Sequence, residues 1–384
     1  MLNLHRIFST VTATNTFLDA ITPTDQQQVA LETAKNIISE FLRTEVEAAT
    51  VSELGLEKAV APRFRTQGSW SYGTCVVPAW IQQQIDWDFG MYLPVSVWES
   101  NGPPRAMAKR YFDLVEKRLA KLCEKQRGWR LLPGKATCIR IEISSSAHID
   151  IPLYAAPERE FLLIYERMLK AQRMRADSAV ALDSAEQEWT DLKQIVLATR
   201  EGEWKGSDPQ KVSRWFRDRI AEHRDQLQRI CMYLKAWRDF HWPDGDGPTS
   251  VCLMVAIAQE FVVYPRRDDL AFEAAAAVLS KALMGEVRCD GIERGAEDFN
   301  RRLTVEQKAE AARKAATLSS ELKRARYLGS GALSERQAIQ ILTAQLGPRV
   351  PNDSSLVDSD GGEDVRVTPA RTVPPPAVKS TKAG

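Results

Sequence analysis

Apolar side chains recur along residues 25–50 at helical spacing, which predicts a long helix that begins after Thr24. The same spacing over residues 105–125 predicts a second amphipathic helix. Between them, residues 85–97 alternate between apolar and polar side chains, as a strand with one buried face does. The apolar stripe of the first helix is predicted to consist of Ala30, Ala34, Ile37, Ile38 and Phe41.

A second alternating segment follows, in which Ile139, Ile141 and Ile143 are separated by polar residues. The serines at 144–146 then connect this segment to the apolar residues around Asp150. Two alternating segments with a short polar connection are typical of a β-hairpin. The first half of the chain is therefore predicted to combine helices with strands.

The second half is predicted to be mostly helical. Two late helices are predicted to begin at capping boxes and to end at Gly329 and Gly347. From Pro351 onward Ser, Asp, Gly and Pro dominate, which predicts a disordered tail. The predicted helices are residues 158–175, 178–198, 209–240, a helix from Thr249 or Ser250 to about Phe261, and 270–284, followed by those capped at Thr304–Gln307 and Ser334–Gln337.

The predicted fold class is therefore α+β, with 384 residues in a two-lobed arrangement. Residues 1–220 are predicted to form the α+β core together with its N-terminal helix. Residues 221–350 form a helical lobe that closes a cleft, and residues 351–384 form the tail.

Composition limits the classes of function. The chain has 52 basic and 51 acidic residues and a net charge of +1, which is unlike a protein that binds duplex nucleic acid through a basic surface. Six cysteines without a CxxC pair predict reduced thiols, and four histidines argue against a structural zinc site. Neither a signal peptide nor an apolar run of membrane-spanning length is recognisable, so a cytoplasmic protein without membrane association is expected.

Three aspartates are the first candidates for chemistry. Asp86 and Asp88 are two residues apart in an apolar strand and therefore share one face, and Asp150 lies between Ile149 and Ile151. Three carboxylates on a half-buried sheet are costly unless cations neutralise them, and oxygen ligands suit Mg²⁺ or Mn²⁺. We therefore predict that these aspartates are catalytic and hold two Mg²⁺ ions, with Mn²⁺ as the alternative.

A Gly-Ser pair upstream supplies a candidate phosphate site. Gly68 allows close approach of the backbone to a ligand, and Ser69 offers a hydroxyl and an amide at a predicted helix start. A Gly-Ser pair, an Asp-x-Asp motif and a further strand aspartate each occur by chance in many proteins. When the three follow one another in this order, however, they predict a nucleotidyltransferase.

The chain resembles the bacterial cyclic GMP-AMP synthase group of cyclic-oligonucleotide-forming nucleotidyltransferases. The resemblance is carried by residues 62–94, 137–154, 197–202, 207–209, 234–239 and 247–250, which include the Gly-Ser pair and all three aspartates. These blocks occur in the family's order within residues 20–260, and the resemblance weakens beyond about residue 265. It implies a polymerase-β-like nucleotidyltransferase core with a helical C-terminal lobe.

The resemblance also implies nucleotide-binding roles for Gln67, Gly68, Ser69, Tyr72, Arg140, Lys235 and Ser250. Other interpretations of three of these residues remain open. Lys235 is either a triphosphate ligand or a surface lysine that lies along an apolar stripe. Arg140 either contacts the second nucleotide or pairs with a carboxylate across the strands. Ser250 is predicted to be a helix N-cap and can contact phosphate as well.

Two further features receive a structural interpretation. His148 is interpreted as hydrogen-bond support, and Asp150 as the group that accepts the proton from the attacking hydroxyl. The basic residues between Arg313 and Arg326 are interpreted as a solvated helix face and not as an RNA-binding patch.

The function that the resemblance implies is the synthesis of a cyclic dinucleotide from ATP and GTP, with 3′,3′-cyclic GMP-AMP as the leading product. It further implies a role in bacterial defence against phage, in which a downstream effector binds the dinucleotide. Family members also occur beside ubiquitin-activating-like enzymes that conjugate the synthase C-terminus, so Gly384 is a candidate conjugation site. No nucleic-acid template is expected.

Two other functions are compatible with such a core. A polynucleotide-extending transferase could use the same core, but the absence of a basic surface argues against it. A catalytically silent nucleotide-sensing scaffold is the second alternative. The presence of all three aspartates argues against it.

Overall fold

The computed structural model describes residues 1–96, 103, 105–173, 195–206, 209–289, 292 and 298–359. The strands are β1 (Leu2–Asn3), β2 (Arg63–Thr66), β3 (Ile85–Val95), β4 (Arg130–Leu132), β5 (Ile139–Ser144), β6 (Ala147–Ile151), β7 (Leu153–Pro157), β8 (Val196–Ala198), β9 (Trp204–Gly206) and β10 (Asp358–Ser359). The helices are α1 (His5–Phe8), α2 (Phe17–Ile21), α3 (Asp25–Glu47), α4 (Gly68–Ser71), α5 (Arg105–Lys125), α6 (Glu158–Arg173), α7 (Pro209–His241), α8 (Ser250–Ala258), α9 (Asp268–Ala282), α10 (Val305–Arg326) and α11 (Ala332–Leu346).

A mixed sheet forms the first half of the molecule, with the strand order β4–β5–β6–β3–β7–β8–β9 and β2 paired with β3. The long strand β3 runs parallel to β6 along its first residues and parallel to β7 along its last. The predicted hairpin is confirmed, because β5 and β6 pair antiparallel with Ile141 opposite Ile149. At the centre of the sheet, β3 therefore lies directly beside β6, the second strand of this hairpin.

Helices α3 and α5 cover one face of the sheet, as their apolar periodicity predicts. A capping box between Thr24 and Gln27 starts α3, where the sequence predicts the helix to begin. The predicted stripe of α3 is wrong in part, since Ala30 is exposed and Leu31 is buried. The buried face of α3 is completed by Ala34, Ile38, Leu42 and Val46.

The helical lobe has a second apolar core, built from α7 to α11. The first residues of the chain belong to this core: Phe8 and Phe17 contact Tyr233 of α7 at ring distances of 5.3 and 5.7 Å. The division of the chain at residue 220 stays a prediction. The packing adds that the apolar residues between Leu2 and Ile21 belong to the core of the helical lobe.

Several predicted boundaries are wrong. Residues 196–198, predicted to end a helix, form strand β8, and most of the predicted helix 178–198 lies outside the described residues. Helix α8 ends at Ala258 and not at Phe261. Helix α11 begins at Ala332 after Gly331, without a side-chain cap, so the capping box predicted at Ser334 is wrong. The capping box between Thr304 and Gln307 is confirmed.

The chain does not become disordered at Pro351 as predicted. A 3-10 turn occupies Ser354–Leu356, and β10 pairs antiparallel with β1 at the start of the chain. Leu356 and Val357 are buried, so apolar burial and backbone pairing hold this segment in place. Beyond residue 359 the predicted tail lies outside the described residues.

Among the helices that the structure describes, none is both long enough and apolar enough to cross a bilayer.

Candidate active site

A cavity of 880 Å³ lies between the sheet and the helical lobe. Its lining includes every residue predicted to be catalytic or nucleotide-binding: Gln67, Gly68, Ser69, Tyr72, Asp86, Asp88, Arg140, Asp150, Lys235 and Ser250. These residues come from segments that are far apart in the sequence. The fold therefore brings the whole predicted set to one cleft.

Strand register brings the three aspartates together. In the parallel pair of β3 and β6, Asp88 is opposite Asp150 and Asp86 is opposite His148. Arg140 lies beside Asp150 in the neighbouring antiparallel pair and donates to both of its carboxylate oxygens, at 2.6 and 2.7 Å. Of the two interpretations of Arg140, the cross-strand ion pair is therefore present.

The Gly-Ser turn faces the acids. Gly68 begins the short helix α4 with a φ of +57°, and a Cβ at this position would lie 2.0 Å from Asp88 Oδ2. Only glycine combines this backbone conformation with so close an approach. The turn is held by Trp70, whose ring stacks on Trp87 at 4.1 Å and whose Nε1 donates to the Asp86 carbonyl oxygen.

The acids differ in their electrostatic settings. Burial and the negative charges of Asp86 and Asp150 raise the pKa of Asp88 to about 8. The side chain of Asp86 is 47% exposed at the cavity, yet the protein around it still opposes its ionisation; the contact with His148 and the positive charge of Arg140 outweigh this, so its pKa is lowered. Two carboxylates on one strand are therefore pushed in opposite directions, as is typical of functional sites.

The residues fit a divalent cation. Asp86, His148 and Asp150 offer ligand atoms within 4.8 Å of one another, and a cation placed among them would relieve the unfavourable charge of Asp88. Asp88 is outside this three-residue group, and its carboxylate instead contacts Gly68. A role of Asp88 as a metal ligand stays a prediction.

The helical lobe contributes a buried cation to the opposite wall. Lys235 is 5% exposed, and its Nζ donates to the carbonyl oxygen of Thr74 at 2.5 Å. Burial lowers its pKa, and the nearby Asp86 and Asp239 oppose this shift only in part. Lys235 is therefore not a surface lysine, and its ammonium group lies at the cavity wall.

Ser250 is not the N-cap of α8. Thr249 has that position and accepts a hydrogen bond from the Cys252 amide, while Ser250 is the first helical residue. The Ser250 hydroxyl accepts a hydrogen bond from Arg238 at 2.9 Å. The cap prediction is wrong by one residue because Thr249 has the extended backbone that a cap requires.

Gln67 and Tyr72 line the cavity, but other residues already occupy most of their polar and aromatic surface. Gln67 is buried and shares hydrogen bonds with Tyr92 and Tyr154. The ring of Tyr72 packs edge-on against Phe216. The base stacking expected of Tyr72 stays a prediction.

Sequence reasoning assigned no site role to Gln84 and Arg238, which line the cavity. Gln84 contacts the ring of His148, and Arg238 joins Ser250 to Asp239. The position of Arg238 one helical turn from Lys235 was the available signal. No sequence signal pointed to Gln84, because its contacts depend on a turn that no local pattern specifies.

Other predicted features lie elsewhere. Gly384 is outside the described residues, and so are Ser207 and Asp208, which belong to one of the blocks that carry the family resemblance. In the basic segment, Arg326 is buried and pairs with Glu273, and Lys314 lies over the ring of Trp242. These two side chains are engaged within the protein and are not free solvated charges.

Comparison with known proteins gives two family models and several relatives. The models are the nucleotidyltransferase domain of DncV-like cyclic GMP-AMP synthases, at residues 62–154, and the cyclic GMP-AMP synthase C-terminal domain, at residues 224–359. A cyclic GMP-AMP synthase of Escherichia coli (strain TW11681) is 38% identical over 204 residues, which are 51% of this chain and 46% of that protein. One from Vibrio cholerae is 36% identical over 208 residues, again about half of each chain.

Solved structures extend the similarity over nearly the whole chain. The Vibrio cholerae DncV cyclic AMP-GMP synthase in complex with the linear intermediate 5′ pppA(3′,5′)pG has a TM-score of 0.75 at 23% identity, and the match covers 93% of this chain and 98% of that one. The same bacterium's di-nucleotide cyclase in complex with GTP and 5MTHFGLU2 has a TM-score of 0.76 at 24% identity, and it covers 93% and 99%. At these identities the match establishes the fold, and the predicted α+β class with a helical C-terminal lobe is confirmed.

The two family models together span more than half of the chain, in the order and over the elements that build the cavity. The chain belongs to the DncV-like cyclic GMP-AMP synthase family of nucleotidyltransferases.

Proposed function

We propose that this protein is a cyclic dinucleotide synthase that joins ATP and GTP with release of two pyrophosphates. The leading candidate for the product is 3′,3′-cyclic GMP-AMP. The main support is one observation: the aspartates, the Gly68–Ser69 turn and the buried Lys235 line a single cavity between the two lobes. Relatives that share about half of the chain are cyclic GMP-AMP synthases, which agrees with this assignment.

In the proposed reaction, Asp86, Asp88 and Asp150 would hold two Mg²⁺ ions, for which Mn²⁺ could substitute. Such ions neutralise the phosphates and lower the pKa of the attacking hydroxyl. The carboxylate of Asp150 accepts the proton that this hydroxyl loses. Its bidentate contact with Arg140 orients the carboxylate for that step.

The remaining residues bind and orient the nucleotides. The backbone at Gly68 and Ser69 positions the donor triphosphate, and Lys235 with Ser250 closes around it from the helical lobe. Arg140 faces the second nucleotide, and Gln67 and Tyr72 support the wall beside the turn. A cavity of 880 Å³ allows the linear intermediate to turn, so that its remaining triphosphate becomes the next donor.

The test is to incubate the purified protein with all four NTPs and Mg²⁺ and to identify the product by mass spectrometry. Linkage-specific nucleases then distinguish 3′,5′ from 2′,5′ bonds. We expect a small phosphatase-resistant product containing A and G, and loss of pyrophosphate release in Asp86→Ala. Growth of a labelled RNA would instead support the polynucleotide-extending alternative, and release of no pyrophosphate would support the scaffold.

We also propose that the product acts as a second messenger in defence against phage, through an effector that binds it. Conjugation of Gly384 by a ubiquitin-activating-like enzyme belongs to the same proposal. Deletion of Gly384 should abolish any conjugate in cells that contain such an enzyme. A conjugate that persists after the deletion would contradict this part of the proposal.

A further inference from the structure

His148 is held between two side chains at the edge of the cavity. Its Nδ1 lies 3.0 Å from Gln84 Oε1, and its Nε2 lies 3.0 Å from Asp86 Oδ1. The residue is 5% exposed, and strand register sets it directly opposite Asp86. The position of the imidazole ring is therefore fixed by both the backbone and its neighbours.

The Gln84 amide determines which ring nitrogen carries the hydrogen. Its Nε2 is surrounded by oxygens of Glu142, Ser144 and Ser145, at 3.1, 3.3 and 3.3 Å. A flipped amide would place its own oxygen against these three acceptors. Gln84 Oε1 therefore faces His148, and His148 Nδ1 must donate the hydrogen to it.

This arrangement directs the second ring nitrogen toward the acids. His148 Nε2 is buried and makes no well-aligned hydrogen bond among the described residues, although an Asp86 oxygen is close. Because a lone pair on this atom would face a carboxylate, either a hydrogen on Nε2 or a metal ion must lie between His148 and Asp86, and a bound metal ion would replace that hydrogen. Neighbouring ligands of an octahedral ion at about 2.1 Å are about 3 Å apart, which is the spacing observed.

We propose that His148 Nε2 is a direct metal ligand, together with Asp86 and Asp150. This proposal rests on the proposed function, because it concerns the same metal site. Gln84 has the role of the acceptor that commonly orients a metal-ligating histidine through its other ring nitrogen. Asp150 can contribute while it is paired with Arg140, because each carboxylate oxygen has a second lone pair.

A nitrogen ligand changes which metal the site prefers. Mg²⁺ favours oxygen ligands almost exclusively, whereas Mn²⁺ accepts imidazole as well. The site should therefore bind Mn²⁺ more tightly than a site of three carboxylates would, relative to Mg²⁺. The competing interpretation is that His148 only positions Asp86 by a hydrogen bond.

The decisive measurement is electron spin echo envelope modulation of Mn²⁺ added to the full-length protein without nucleotide. We expect a ¹⁴N coupling of the size that a directly bound imidazole gives. Absence of that coupling in the wild-type protein would overturn the proposal without any variant. The purely positioning role of His148 predicts this absence.

Variants provide the second arm. In His148→Asn we expect the ¹⁴N coupling to disappear and Mn²⁺ affinity to fall about 10- to 100-fold, while Mg²⁺ affinity changes by less than about threefold. The matched control is His223→Asn, since His223 is also largely buried but does not line the cavity. An equal loss of both affinities in His148→Asn would show that the residue acts only through Asp86.

This test separates its own failure from that of the proposed function. A protein that makes a cyclic dinucleotide but shows no ¹⁴N coupling retains the proposed function and loses the histidine ligand. A protein that shows the coupling but forms no nucleotide product retains the ligand and loses the proposed function.

Discussion

The carboxyl group of Asp88 occupies a setting that opposes its ionisation. It is close enough to Gly68 that a single added methyl group would overlap it, and the charges of Asp86 and Asp150 act on it through a buried environment. Such a group favours either a proton or a nearby cation. Metal binding at neutral pH should therefore release a proton.

The raised pKa of Asp88 predicts how the stability of the metal-free protein varies with pH. Its pKa is about 8 in the folded protein and 3.8 in a model compound, so the folded state binds more protons between these values. The contribution to stability is thus fully present below about pH 4 and is lost as pH rises toward 8. We expect the Tm of the metal-free protein to fall over this window, and to fall less in Asp88→Asn.

Mg²⁺ provides the control for this measurement. A bound cation favours the ionised carboxylate, so saturating Mg²⁺ should reduce the difference between Asp88→Asn and wild type in the slope of Tm against pH. Identical slopes for the two proteins without metal would contradict the assignment of the shift to Asp88.

Gly68→Ala tests the close approach between the turn and Asp88. Both a φ of +57° and the overlap of an added Cβ with Asp88 Oδ2 oppose a side chain at this position, so displacement of Asp88 should reduce product formation by about 100-fold. The matched control is Gly55→Ala, which has a φ of +75° but nothing within 4 Å of the added methyl. The control should lose about 1–2 kcal/mol of stability in urea denaturation and keep its activity. Equal activities of the two variants would contradict the role of this contact.

At the scale of elements, two adjacent hydroxyl residues at the start of helix α8 both line the cavity but have different partners. Thr249 caps the helix through the Cys252 amide, while the hydroxyl of Ser250 lies at the cavity with Arg238. The two hydroxyl groups therefore serve different purposes. Single substitutions can distinguish them.

Thr249→Ala should cost about 1 kcal/mol of unfolding free energy and leave the KM for nucleotide nearly unchanged. Ser250→Ala should raise KM about three- to tenfold with a smaller loss of stability, because only a contact to ligand and to Arg238 is removed. Urea denaturation and initial rates of pyrophosphate release measure the two effects. A larger KM effect for Thr249→Ala would reverse the assignment.

The elements also show what could be predicted from sequence. Helix α5 was predicted at its observed bounds, and the hairpin of β5 and β6 was predicted from alternation, because both patterns are local. Strand β8 and helix α11 were misplaced. The first is stabilised by pairing with β7, and the second begins at a glycine whose conformation depends on its surroundings.

The same distinction holds for the candidate site. Asp86, Asp88 and Gly68 could be predicted because strand parity and a Gly-Ser turn are visible in a single segment. The partnership of His148 with Gln84 could not, since it depends on the register between two strands and on a turn. The family resemblance contributed Lys235, whose burial against Thr74 no periodicity indicates.

At the scale of the whole molecule, a buried ionic network joins the beginning of the chain to the helical lobe. Asp268 is fully buried and accepts hydrogen bonds from Arg229, Gln226 and Tyr233. The neighbouring Asp269 accepts one from the Leu4 amide. This network and the aromatic contacts of Phe8 hold the N-terminal segment against helices that are more than 200 residues away in the sequence.

Asp268→Ala should therefore destabilise the protein by about 3–5 kcal/mol, because Arg229 and Tyr233 lose a buried partner. Asp353→Ala is the control, since Asp353 is itself exposed and accepts a hydrogen bond only from the Ser355 amide at the start of the 3-10 turn, so its loss should cost about 1 kcal/mol. Denaturant unfolding of the two variants measures the difference. Similar losses would show that the network does not hold the lobe together.

The stacked indoles of Trp70 and Trp87 have a spectroscopic consequence. Two parallel chromophores at 4.1 Å couple their electronic transitions, and one of them lies on the strand between Asp86 and Asp88. Any ligand that shifts the turn by a fraction of an ångström alters that coupling. Near-ultraviolet circular dichroism of the unlabelled protein can therefore follow occupancy of the cleft as it happens.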